Sequence, residues 1–177
     1  SRPALTSRIH SAAWAIWKKF PAATFNPVKH GLPPPAGLSG KKIVIVDFSY
    51  PRPVLEAMAK DAASLLVLDH HVTAEKALAG LPYTYFDQKK SGAVLAWEWA
   101  HQQPAPQLLL HVQDKDLWHW ALPGSREVNA ALSSYPFDFR LWDSFRQEAL
   151  EAEGRAILRY EHEMVGKLVK EQVPVTF

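Results

Sequence analysis

Two apolar runs with the same ending, "KIVIVD" at residues 42–47 and "SLLVLD" at residues 64–69, limit the folds open to this chain. Each has strand length and is rich in β-branched or leucine side chains, and neither alternates with polar residues. A strand of this kind expects burial on both faces, which is the situation of a parallel sheet covered by helices. Between the two runs, Pro51 to Lys60 carries a helical pattern with proline in its first turn. After the second run, Thr73 to Ala79 reads as a short helix and "YTYFD" as a third strand. This βαβαβ order predicts an α/β fold, a parallel β-sheet with flanking helices and right-handed crossovers.

The rest of the chain reads as helical. Apolar spacing predicts a helix over Ile9–Phe20, with Lys18 and Lys19 in its last turn, and a Pro/Gly-dense connector over residues 26–42. Ser91 is placed to cap a helix "GAVLAWEWAH", and Pro104 and Pro106 open another that runs to about Asp114. From Ser125 onward the pattern stays helical, with a break at "SSYPFDF". Glu151 to Lys170 carries a narrow apolar stripe (Ile157, Leu158, Met164, Val165, Leu168, Val169) that predicts packing along one side. At 177 residues the expectation is one α/β domain over 1–177, with 125–177 as a mainly helical extension.

Composition narrows the chemistry. A formal charge of +2 provides no basic footprint on which to argue nucleic-acid binding by itself. No cysteine is present, so any metal must be held by His, Asp and Glu. No apolar stretch reaches the ~20 residues that span a bilayer, and the first twenty residues lack the order of a signal peptide, so a cytoplasmic protein is expected. A P-loop and a "GxSxG" elbow are both missing.

The two strand endings place Asp47 and Asp69 at the carboxyl edge of the sheet, where open α/β sheets bind ligands. His70 and His71 follow directly, and a further acidic pair, Asp114 and Asp116, lies in "LLLHVQDKDLWHW". Taken singly, Asp47 reads equally well as the opening of a turn, and the histidine pair as a solvated loop. Together they form a set of carboxylates and imidazoles that suits a hard or borderline divalent ion, Mn²⁺ or Mg²⁺, and phosphoryl or hydrolytic chemistry.

"VDFSYP", "VLDHH", the "SGA" at Ser91–Ala93, "QDKDLWHW" and "REVNAALSSYPFDF" resemble the DHH phosphoesterase superfamily, in particular its oligoribonuclease or phosphodiesterase-like members. The resemblance runs from about Trp14 to the end of the chain. In that family two divalent ions, often manganese, activate a water that attacks a phosphoester. The similarity implies that Asp47 bridges the metals, that His70 and Asp114 are ligands, that His71 contacts the phosphate, and that Asp69 orients the adjacent imidazole. Asp116 is left without a role, since the family pattern supplies one ligand here and Asp114 is matched to it. The implied substrate is a phosphodiester or phosphomonoester, including short oligonucleotides or nucleotides.

Two departures qualify that expectation. The family's first motif supplies an acidic ligand before the first helix, but Arg8 stands at that place and no acid precedes Asp47. One metal site therefore has plausible ligands and the other almost none, which predicts weakened or absent turnover and leaves open a module that only binds one metal or phosphate. The family also continues into a smaller second domain beyond the point where "VKEQVPVTF" stops, so a catalytic-domain fragment is expected, with homodimerisation through the last helix or a sheet edge as one consequence. Trp118 and Trp120 with His119 suit base stacking, although core packing is the favoured reading. His111 is expected in the core with its nitrogens satisfied. His10, His30, His101 and His162 are expected at the surface, and Arg126, Arg140, Arg146 and Arg155 solvated or ion-paired.

Overall fold

Strands β1 (Lys42–Val46), β2 (Ser64–Asp69) and β3 (Thr84–Phe86) form a parallel sheet in that order. The computed structural model that shows this describes residues 4–170, with side chains from residue 10 to residue 167. Ile43 lies opposite Leu65, Val46 opposite Leu68, and Asp69 opposite Phe86. Helices α2 (Arg52–Asp61) and α3 (Val72–Leu78) make the two crossovers that a parallel sheet requires.

Alternation along the strands divides the apolar side chains between two cores. Ile45 and Val67 point to one face, where they pack with Phe48, Tyr50, Leu55 of α2 and Leu78 of α3. Val46 reaches the other face, which is covered by α1 (Ala4–Lys19) and α4 (Gly92–His101). Gly92 to Ala96 are all buried, so the first turns of α4 sit inside the molecule. Ser91 caps that helix, its hydroxyl accepting from the Val94 amide, a contact worth ~1 kcal/mol. Each fully buried leucine or valine adds ~1.5–3 kcal/mol of apolar burial.

The second core continues into α5 (Gln107–Asp116), α6 (Ser125–Ser134), α7 (Phe139–Ser144) and α8 (Gln147–Lys170). The break expected at "SSYPFDF" is present between α6 and α7, where the Asp138 carboxylate accepts from the Leu141 amide and starts α7. Gly154 lets α8 cross α6 closely, since a Cβ there would stand 1.9 Å from the Glu127 carbonyl oxygen. No helix among the described residues is long and apolar enough to cross a membrane.

Several local expectations need correction. The strand expected to end with Asp47 stops at Val46, because Asp47 turns into left-handed backbone with φ 55°. Helix α1 begins at Ala4, before Ile9. The first half of α8 packs on one side, but Tyr160, Met164 and Val165 are exposed; the side chains of Leu168 and Val169 lie outside those described. His101 is no plain surface residue: its ring stacks on Trp97 at 3.9 Å and its Nε2 lies 3.0 Å from the Ala15 carbonyl, tying α4 to α1. His10 is half-buried and stacks on Phe137, and burial lowers its pKa. His111 is in the core as expected, yet neither ring nitrogen meets a partner among the described residues.

Candidate metal and phosphate site

Asp47 closes β1 and is held there by two neighbours. Its amide donates to the Leu68 carbonyl, continuing the β1–β2 ladder by one bond. Its side chain lies against Gly92, the first residue of α4, so closely that a Cβ on Gly92 would fall 2.4 Å from the Asp47 Cβ. The "SGA" segment thus has a physical reason: serine to cap the buried helix, glycine to admit the carboxylate beside it. Left-handed backbone is unfavourable for a residue with a Cβ, and such strain tends to gather at functional sites.

His70 follows β2 and brings Nε2 to 3.1 Å from Asp47 Oδ1 and 3.5 Å from Asp116 Oδ2. The three side chains are only 9%, 6% and 1% exposed respectively for His70, Asp47 and Asp116. An imidazole nitrogen between two nearly buried carboxylates is a strongly negative, oxygen-and-nitrogen donor set at the carboxyl edge of the sheet. Asp47, Asp69, His70 and His71 also bring one donor atom each to within 4.8 Å of one another.

Asp69 belongs to this group by distance, but its carboxylate is already engaged. Oδ2 accepts from Ser49 Oγ at 2.6 Å, while Oδ1 accepts from the His70 amide at 2.7 Å and lies 2.6 Å from His71 Nδ1. Burial alone would raise the Asp69 pKa, but the hydrogen bonds from His71 and Ser49, the His71 charge and the His70 amide together hold it below the ordinary value. Asp69 is therefore an ionised acceptor that keeps a proton on His71 Nδ1, and with it the ring orientation. It touches His70 through the backbone only, so the imidazole it orients is that of His71, whose side chain is 47% exposed.

The structure brings Asp116, rather than Asp114, to His70. The Asp114 carboxylate instead accepts from the amides of Ala121 (2.9 Å) and Leu122 (3.0 Å), and its carbonyl from those of His119 and Trp120. Burial pushes its pKa up, but the bonds from Ala121, Ser125 and Leu122 and the nearby His119 outweigh that and leave it lowered. Asp114 thus fastens the turn in which Trp118 and Trp120 both take left-handed backbone. That turn corrects the expected burial of the tryptophans: Trp118 is 80% exposed, and Arg126 lies over the Trp120 ring at 4.7 Å.

Three features escaped the sequence reading. The helix expected to end at about Asp114 runs on to Asp116 as α5. At 3.6 residues per turn Asp116 then falls in line with Leu109 and Val112, both buried, and that signal was available. The same period sets Asp114 in line with buried His111, so periodicity by itself does not choose between them. Ser49 as a donor to Asp69 and Gly92 as the residue that admits Asp47 depend on which turns meet across the sheet edge, and no spacing rule announces that.

Comparison with known proteins adds little to the geometry. No family model and no solved structure matches the chain. It is similar to Uncharacterized protein R106 of Acanthamoeba polyphaga mimivirus, 31% identical over 140 residues. That match covers 75% of this chain and 33% of the viral protein, so it spans about a third of that relative's length.

Proposed function

We propose that this is a cytoplasmic metal-dependent phosphoester hydrolase of the DHH type, acting on a phosphodiester or phosphomonoester such as a short oligonucleotide or nucleotide. The observation that carries the reading is His70 Nε2 lying between the carboxylates of Asp47 and Asp116. Carboxylate oxygens and one imidazole fit Mn²⁺ or Mg²⁺, and no thiolate is present to favour a softer ion. Asp47, His70 and Asp116 would hold the ion. When bound, it supplies Lewis acidity and a more acidic water for attack on phosphorus.

The chain's own residues supply the rest. Asp69 fixes the tautomer of His71, and this more exposed ring would donate to a phosphate oxygen as charge develops there. Ser49 holds Asp69 from the other side. A second reading is favoured by one observation: Asp47, Asp69, His70 and His71 gather in a single group of candidate donors among the described residues. On that reading the protein binds one ion or a phosphate and turns over slowly or not at all, since a two-ion clamp on attacking and leaving oxygens is incomplete.

Calorimetric titration of Mn²⁺ into metal-free protein, with bis-p-nitrophenyl phosphate hydrolysis assayed on the same samples, tests both. Binding that is lost in Asp47→Ala, His70→Ala and Asp116→Ala but kept in Asp114→Asn is expected, with turnover under the first reading and none under the second. Absence of Mn²⁺ and Mg²⁺ binding refutes the first reading and the ion-binding form of the second.

A further inference from the structure

The connector between α1 and β1 does more than join them. His30 to Pro34 form one wall of an open cavity of about 770 Å³, whose other walls are Phe48 to Pro51 and α3. A smaller recess of about 110 Å³ is lined by Asp69 and His71, and it shares His30, Phe48, Ser49, Thr73 and Ala74 with the larger space. The cavity therefore opens onto the imidazole assigned to the phosphate. Its size falls in the range of small-molecule sites.

Its walls are specific in chemistry. No Asp, Glu, Lys or Arg lines the larger space. The His30 ring lies on Phe48 with centroids 4.5 Å apart, and Phe48 meets Tyr50 edge-on at 4.8 Å. Tyr50 is 5% exposed, and its hydroxyl is buried without a partner among the described residues. Uncharged aromatic and proline walls and a mouth at an imidazole together describe a two-part ligand, flat and neutral at one end and anionic at the other.

We propose that this cavity is the specificity site of the enzyme: it takes a planar, uncharged ring system, the organic end of a phosphoester whose phosphate lies at His71. The assignment rests on the phosphoesterase reading and goes beyond it by naming what the ester must carry. Leu32 and Ala77 line the cavity from its exposed rim, one on the connector and one on α3, so both can be altered without touching either core.

The test uses two phosphonates that cannot be hydrolysed, benzylphosphonate and methylphosphonate, titrated by calorimetry into Mn²⁺-loaded protein. Benzylphosphonate is expected to bind at least tenfold more tightly. Ala77→Phe, which fills the space, and Leu32→Asp, which charges its wall, should each reduce that ratio to below about threefold with methylphosphonate affinity unchanged. Equal affinity for the two probes, a ratio that survives both variants, or no binding of either probe overturns the proposal. The Mn²⁺ titration of the same samples separates the failures: intact ion binding leaves the metal site standing and removes only the specificity site, whereas loss of ion binding removes the phosphoesterase reading itself.

Discussion

Replacing Gly92 by alanine should damage the metal site without replacing any ligand. Gly92 begins α4 in ordinary backbone, so by helix propensity alone alanine would stabilise by ~0.5–1 kcal/mol. The added methyl, however, would fall 2.4 Å from Asp47 Cβ and 2.7 Å from its Cγ and Oδ1, inside any permitted contact. Both groups are buried, so relief requires Asp47 to move. Overpacking of this kind costs ~1–3 kcal/mol. A net loss of ~1–2 kcal/mol is expected, a fall in Tm of ~2–8 °C for a chain of this size.

The decisive measurement is a double-mutant cycle with Asp47→Gly. That change removes the Cβ that the methyl would strike and relieves the left-handed strain, so by itself it should raise Tm while abolishing Mn²⁺ binding. In its background Gly92→Ala should be neutral or stabilising, giving a coupling of ~1–3 kcal/mol. In the wild-type background Gly92→Ala should weaken Mn²⁺ at least tenfold. Equal destabilisation in both backgrounds would refute the claim that Gly92 exists to admit Asp47.

Gly154→Ala should be more damaging, since the methyl would meet the backbone of α6 rather than a side chain; a loss of ~3 kcal/mol or more is expected in urea denaturation, with helix content falling in step. His111→Leu should be neutral or stabilising by ~1 kcal/mol, because it removes two buried nitrogens without partners. Burial lowers the His111 pKa, with Glu151 and Asp114 opposing, so the unfolded chain takes up a proton first as pH falls below ~6.5. Thermal melts from pH 7.5 to 5 should accordingly show a stability loss that is shallower in His111→Leu. Asp114→Asn should cost ~1–2 kcal/mol at pH 7. The lowered pKa of Asp114 contributes stability that is present above ~3.9 and lost as pH falls through the folded value, so variant and wild type should converge in acid.

The sheet was legible because its strands are buried on both faces and so carry an unbroken apolar signature; "SLLVLD" is β2 to the residue. Ser91 and the helix it caps were legible for a local reason, the pairing of a capping side chain with an apolar stretch. The left-handed turn at Asp47 was not, because Gly92, which makes room for its side chain, comes some 45 residues later. In the candidate site, Asp47, Asp69, His70 and His71 could be gathered from strand endings alone. Choosing between Asp114 and Asp116 needed the last turn of α5 and the tight bend after it, where a carboxylate serves backbone amides that no sequence pattern reveals.

The pairing of α1 with α4 across the far face of the sheet also sets an order of events during synthesis. About 70 residues separate the two helices, and at ~5–20 residues per second α1 waits several seconds for its partner. A helix of this length is marginal by itself in water. Ala12, Trp14, Ala15 and Ile16 must therefore remain open to the ribosome surface or a chaperone until α4 emerges. The βαβαβ unit is assembled from one contiguous stretch and can close in the meantime. The nascent chain thus acquires the sheet edge that carries Asp47 and His70 before it acquires Asp116, and the ion site is completed only when the helical half folds over it.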